Sequence, residues 1–201
     1  PEPGAYWVAA RVPDGHIAVS SNSSVIEEID FDDPENFMVG PGIREFAIEK
    51  GWWDPASGKA LNWRWDFCDR VRVDYSYRRI ARIFNRVAPS ANITEDNPPF
   101  SIKPEKKLTL AEIFDLHRDH YEGSEFDQTT SLTAGPFANP RRYPGWNFNV
   151  DGSAYSWNRT ISAIGCEYVI VTQSRSWLPN EIGGVLWYGP AVPATTCFVP
   201  I

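Results

Sequence analysis

The clearest periodic signal in the chain lies at residues 76–87, where Ile80, Ile83, Phe84 and Val87 recur at i, i+3, i+4 and i+7. This spacing predicts an amphipathic helix, with Pro89 as its stop. A helix with one apolar stripe must be covered along that stripe, so the chain needs a second layer to lie on it. Arg78, Arg79, Arg82 and Arg86 make the same helix basic. With a start at residue 76, two of these arginines stand in the first turn, where the helix macrodipole disfavours positive charge. Such a placement implies a task other than helix stability.

The material for the second layer sits at the two ends of the sequence. Residues 6–12 and 16–20 are short β-prone runs flanking Pro13-Asp14-Gly15, which predicts a hairpin. Pro41-Gly42 opens a short helical pattern carrying Ile43, Phe46 and Ala47, with Gly51 as its stop. Trp52, Trp53, Trp63 and Trp65 follow without a clean period, so residues 52–69 are expected to be irregular and to dock their aromatics on the body. Residues 88–104 form a connector rich in Pro, Asn and Ser. Thr109-Leu110-Ala111-Glu112 has capping-box spacing ahead of Ile113 and Phe114, which predicts a helix to about His120.

Gly135, Pro136, Pro140, Pro144, Gly145 and Gly152 break residues 123–158 into loops with only very short regular elements. Strands are expected again at 160–164 and 167–172, joined through Gly165-Cys166 as a tight hairpin, then at 185–188 and within 195–199. Strands at both ends with helices between them give an α+β class, a sheet packed under helices. The whole of residues 1–201 reads as a single domain. The chain starts Pro1-Glu2-Pro3-Gly4 and stops in the apolar run Cys197-Phe198-Val199-Pro200-Ile201, so a piece of a longer protein is expected.

Composition narrows the function classes. The 201 residues carry a net charge of −7 and lack a large Lys/Arg cluster, which argues against nucleic acid as a partner. No apolar run is long enough to span a membrane. Cys68, Cys166 and Cys197 are too few and too scattered for a disulfide framework and read as packed thiols. Gly-x-Ser-x-Gly, a phosphate loop and His-Glu-x-x-His are all absent. His117 and His120 lie three apart on the expected helix but lack an evident third ligand, so no metal and no organic cofactor are expected. Nine tryptophans, against about three on ordinary usage, leave a noncatalytic aromatic-rich module for a ligand or carbohydrate as a second reading.

Several segments carry a resemblance. Gly4-Ala5-Tyr6-Trp7-Val8-Ala9-Ala10-Arg11-Val12-Pro13-Asp14-Gly15 resembles a core hairpin segment of the bacterial dipeptidase A family of N-terminal-nucleophile (Ntn) hydrolases. Asp30-Phe31 with Asp33-Pro34-Glu35-Asn36-Phe37, Tyr75-Ser76-Tyr77-Arg78-Arg79 and His120-Tyr121-Glu122-Gly123-Ser124-Glu125-Phe126-Asp127 agree with it in order, as does Val185-Leu186-Trp187-Tyr188-Gly189-Pro190-Ala191. Gly135-Pro136-Phe137 is a weaker match.

The resemblance implies an αββα sandwich, present here in part as two antiparallel sheets with covering helices. It also implies a cysteine-type dipeptidase whose first residue is the nucleophile and whose own α-amino group is the base. A small peptide would be the substrate. That pairing needs no separate histidine, because an amine held beside the thiol takes its proton. The family's N-terminal Cys segment is not in this sequence, so the chain alone is expected to be inactive. A sheet missing a strand would have unpaired edges, which leaves room for pairing with a second copy. Val19-Ser20-Ser21-Asn22-Ser23 resembles the strand-end Thr-Asn-Ser segment of related Ntn acylases, whose Asn amide donates to the tetrahedral oxyanion. By the same resemblance Arg79 is the catalytic arginine beside the nucleophile, with Arg78 as a substrate-binding residue or its substitute. Glu122 and Asp127 match the family without an assigned role.

Overall fold

The computed structural model describes residues 6–68, 74–130, 132–140, 148–155 and 158–201. The Pro1 to Gly4 start and the Pro144-Gly145 pair of breakers lie outside them. The chain forms two compact units, Pro1–Lys107 and Leu108–Ile201. It is mixed α and β, with small antiparallel sheets and few helices, in keeping with the α+β class.

In the first unit, strand β1 (Val8–Ala10) is followed by β2 (Ile17–Ala18), β3 (Glu28–Ile29) and β4 (Phe37–Val39). Helix α1 (Ile43–Glu49), β5 (Leu61–Asn62), helix α2 (Asp74–Val87) and β6 (Ser101–Ile102) complete it. The turn at Pro13-Asp14-Gly15 forms as expected, with the His16 N–H donating to the Pro13 carbonyl at 3.0 Å. The hairpin does not. Strand β1 pairs with β4, β2 pairs with β6, and β3 pairs with β5, all antiparallel. A local turn fixes the chain's reversal, whereas partner choice is settled by burial, and the two arms separate onto different strands.

Helix α2 is already formed at Asp74, the first described residue of its segment and two residues before the expected start. Arg78 and Arg79 therefore fall past its first turn, beyond the strongest part of the macrodipole, and the conflict inferred from the sequence is relieved. Ile80 and Phe84 are fully buried and pack with Val25, flanked by Ile17, Val19, Ile93, Phe100 and Ile102. Each such side chain contributes roughly 1.5–3 kcal/mol on burial.

The tryptophan-rich stretch is more ordered than expected. Residues Trp63–Cys68 make a π-helical turn, and Trp53, Trp63 and Phe67 pack against Ile29, Ala47 and Leu61. Trp63 stacks on Phe67, and Trp52 meets the edges of Phe46 and Phe67. The aromatic density of this unit thus builds its core.

In the second unit, helix α3 (Leu110–His117) carries the full capping box. The Thr109 hydroxyl accepts from the Glu112 N–H, and the Glu112 carboxylate accepts from the Thr109 N–H. The helix stops at His117, short of the expected end near His120, so the two histidines do not lie on one helix. A hairpin of β7 (Phe148–Val150) and β8 (Ser153–Tyr155) turns on Asp151 and Gly152, both at positive φ.

The main sheet orders β9 (Val169–Ser174) beside β10 (Gly184–Gly189) beside β11 (Val199–Pro200), with the short helix α4 (Asn180–Gly183) between the first two. No strand forms at 160–164. There the Ser162 N–H donates to the Asp119 carbonyl and the Thr160 hydroxyl to the Ser162 carbonyl, local and loop bonds that compete with a ladder. Strand β9 pairs instead with β10, from Val169 opposite Gly189 to Ser174 opposite Gly184. Cys68 and Cys197 are exposed and Cys166 is half-buried, so the cysteines are not packed thiols.

Candidate active site

The strongest constellation is assembled by α2 and the segment that follows β2. Ser76, Arg79 and Ile80 lie at i, i+3 and i+4, hence on one face of the helix. That face takes up residues 23, 22 and 25 in turn. The buried Ser76 hydroxyl accepts from the Ser23 N–H at 2.8 Å. An Arg79 Nη2–H donates to Asn22 Oδ1 at 2.5 Å, and Ile80 packs on Val25. The Arg79 Nε–H donates to the Tyr75 carbonyl at 3.0 Å, and the guanidinium carbon lies 5.4 Å from the Tyr75 ring centre. Two sequence candidates separated by 57 positions therefore meet directly.

The contact fixes the asparagine's orientation. A guanidinium has donors only, so the amide must turn its oxygen toward Arg79. The Nδ2 hydrogens are thereby directed away from the arginine, and among the described residues they meet no acceptor. A donor held this way at an exposed loop suits an oxyanion.

Arg78 points elsewhere. Its Nε–H donates to Glu95 Oε1 at 2.8 Å in a half-buried ion pair. One residue along a helix is a rotation of about 100°, so Arg78 and Arg79 cannot share the Asn22 contact.

A cleft of about 520 Å³ lies in the same unit, lined in part by Arg11, Val25, Glu27, Glu28, Phe37 and Phe100. Val25 is three residues from Asn22, which places their Cα atoms within roughly 11 Å. Behind the cleft wall sits Arg64, fully buried. Its Nε–H donates to the Tyr77 hydroxyl at 2.9 Å, and its Nη1 reaches Glu27 at 2.7 Å and Asn97 at 3.4 Å. Glu27 and Asn97 both line the cleft, so Arg64 sets the position of two of its polar groups. Sequence reasoning assigned no role to Arg64, Arg11 or Glu28. The only signal for Arg64 was a cation between Trp63 and Trp65 in a segment otherwise assigned to packing.

In the second unit, Glu122 accepts from the His120 N–H at 2.8 Å and lies 3.2 Å from His120 Nδ1. The next residue, Tyr121, is buried at φ 67°, its hydroxyl donating to the Arg159 carbonyl. Asp127 accepts from the Gly123 N–H and from the Thr129 N–H and hydroxyl. Partial desolvation would raise the Asp127 pKa, but these bonds and one from the Thr130 N–H outweigh it and lower it. Both carboxylates thus brace a tight, strained loop. Burial also lowers the His117 pKa. Among the described residues no group of three or more His, Cys, Asp or Glu side chains could hold a metal ion, and no helix is long and apolar enough to cross a membrane.

The model of peptidase family C69 matches residues 2–201. The chain belongs to that family. Relatives agree with this placement. A "Probable dipeptidase" of Latilactobacillus sakei is 29% identical over 98% of this chain, and one of Salmonella dublin is 26% identical over 98%. "Dipeptidase A" of Lactobacillus helveticus is 25% identical over 93%. The chain spans 38%, 42% and 37% of the lengths of these three relatives. The resemblance seen in the sequence therefore extends over the whole family-matched length.

Proposed function

We propose that this chain is the scaffold part of a cysteine-type dipeptidase of the Ntn class, supplying the oxyanion donor and the arginine that orients it. The observation supporting this reading is the Asn22–Arg79 pair. The nucleophile is a cysteine thiol at the start of the mature enzyme, in a segment these 201 residues do not include. Its own α-amine takes the thiol proton, and the thiolate sulfur attacks the peptide carbonyl carbon. The carbonyl π pair moves onto oxygen, and Asn22 Nδ2 donates to the resulting oxyanion. Collapse breaks the C–N bond, the α-ammonium returns its proton to the leaving amine, and water then cleaves the thioester.

In this reading Arg79 fixes the asparagine amide and places positive charge beside the thiolate. Arg78, tied to Glu95, lies at the margin as a substrate-binding group. The small sheets of the two units belong to an αββα sandwich completed by the rest of the longer protein.

A peptidase assay with two arms tests this. The longer protein with its leading cysteine should hydrolyse unblocked dipeptides and lose that activity when the cysteine becomes serine, while the 201-residue chain alone should show no turnover. Turnover by the chain alone, or none by the longer protein, overturns the reading. The carbohydrate-module alternative is not favoured, because Trp52, Trp53 and Trp63 are engaged in the core and Trp65 faces the Arg64 guanidinium.

A further inference from the structure

The cleft beside Asn22 contains charges that the fold itself does not use. Among the described residues the Arg11 guanidinium and the Glu28 carboxylate have neither an ion-pair nor a hydrogen-bond partner, yet both line this one cleft. Every neighbouring polar group is committed. Glu27 is held by Arg64, Asp33 accepts from the Asn36 side chain and N–H, and Asn97 accepts from Arg64. Much of the remaining lining is apolar, with Val25, Phe37, Pro98 and Phe100 among it. A volume of about 520 Å³ is within the usual range for a small-molecule site.

We propose that this cleft binds a zwitterionic dipeptide, with Arg11 taking the α-carboxylate and Glu28 the α-ammonium. The inference rests on the dipeptidase reading for its choice of ligand and adds to it the residues that read the two ends. One unpaired cation and one unpaired anion in a common apolar-walled recess match a ligand with one charge of each sign. They match an end-blocked peptide less well. An extended dipeptide spans roughly 7 Å, and the cleft begins within roughly 11 Å of Asn22, so the two lie in one neighbourhood of the same unit. Two end contacts would select a peptide with both ends free, since a blocked end removes one of the charges the pair receives.

Calorimetric titration of the 201-residue chain with alanylalanine, its N-acetyl form and its C-terminal amide tests the proposal. Blocking either end should weaken binding about tenfold or more, since each loses a charge-assisted hydrogen bond. Arg11→Gln should bind the free and amidated forms alike while still rejecting the acetylated one. Glu28→Gln should do the reverse. Circular dichroism of both variants should match the parent, as both side chains are exposed.

Absence of binding, equal binding of all three ligands, or discrimination that survives in both variants overturns the proposal. Its failure is separable from that of the function. If the longer protein hydrolyses dipeptides with a KM unmoved by Arg11→Gln and Glu28→Gln, the peptidase stands and the cleft falls. If the chain discriminates blocked ends while the longer protein cleaves nothing, the cleft stands and the peptidase falls.

Discussion

Replacing Arg79 by lysine would keep its charge and remove the planar fork that holds Asn22 while also bonding the Tyr75 carbonyl. On the proposed function, Arg79→Lys in the longer protein should therefore lower kcat while leaving the denaturation midpoint close to the parent's, a split that equal kinetics would contradict. Asn22→Ala removes the oxyanion donor of that proposal. Losing one oxyanion donor costs about 3 kcal/mol, or a hundred- to thousandfold in kcat, with a much smaller change in KM. Asn22→Asp is the sharper probe, because the carboxylate would still accept from Arg79 and preserve the loop but could not donate to an anion. Arg64 belongs to a different class of residue. It is fully buried, and Arg64→Met leaves the Glu27 carboxylate, the Tyr77 hydroxyl and the Asn97 amide without a shared donor. Glu27 keeps about a third of its exposure and regains some water, so the expected loss is about 3 kcal/mol, at the low end for a broken buried pair. Urea denaturation measures it.

Elements that draw their stability from neighbours in sequence were legible, and those that draw it from afar were not. Helix α2 announced itself through four apolar residues at helical spacing, and α3 through Thr109 and Glu112. Because both bonds of that capping box form, Thr109→Ala should destabilise the chain by about 1 kcal/mol, readable as a lower urea midpoint, and Thr109→Ser should restore most of it. Strand pairing followed different rules. The turn at Pro13-Asp14-Gly15 was correctly placed, yet Val8 lies opposite Val39 and Ile17 opposite Ile102, partners no local pattern could indicate. The hairpin at Asp151-Gly152 went unread although Asp-Gly is a strong turn signal, because the surrounding breakers suggested loop. The candidate site divides the same way. Asn22 and Arg79 became visible through resemblance, since no spacing rule connects positions 57 apart. Arg11 and Glu28 come from separate segments that meet only when the cleft is built.

At the scale of the molecule, acid should act on the second unit through His117. Burial holds its imidazole below the ordinary value of 6.5. The unfolded chain therefore binds the proton first as pH falls, and stability must rise with pH wherever the unfolded state carries more protons. The contribution of His117 is fully present above about pH 6.5 and declines below it, down to the lowered folded-state value. Asp127 adds a second decline at lower pH. Its folded-state value lies below 3.8, so its bonds to Thr129 and Gly123 stabilise the native loop above that value and are lost as pH falls through the depressed one. The carboxylate is only partly buried, which keeps this second effect small. Urea midpoints at pH 7.5, 6.5 and 5.5 separate the two. The parent chain should lose stability between the last two points, and His117→Gln, whatever its absolute stability, should show a flatter dependence there. A His117→Gln profile parallel to the parent's would assign the acid sensitivity to another group.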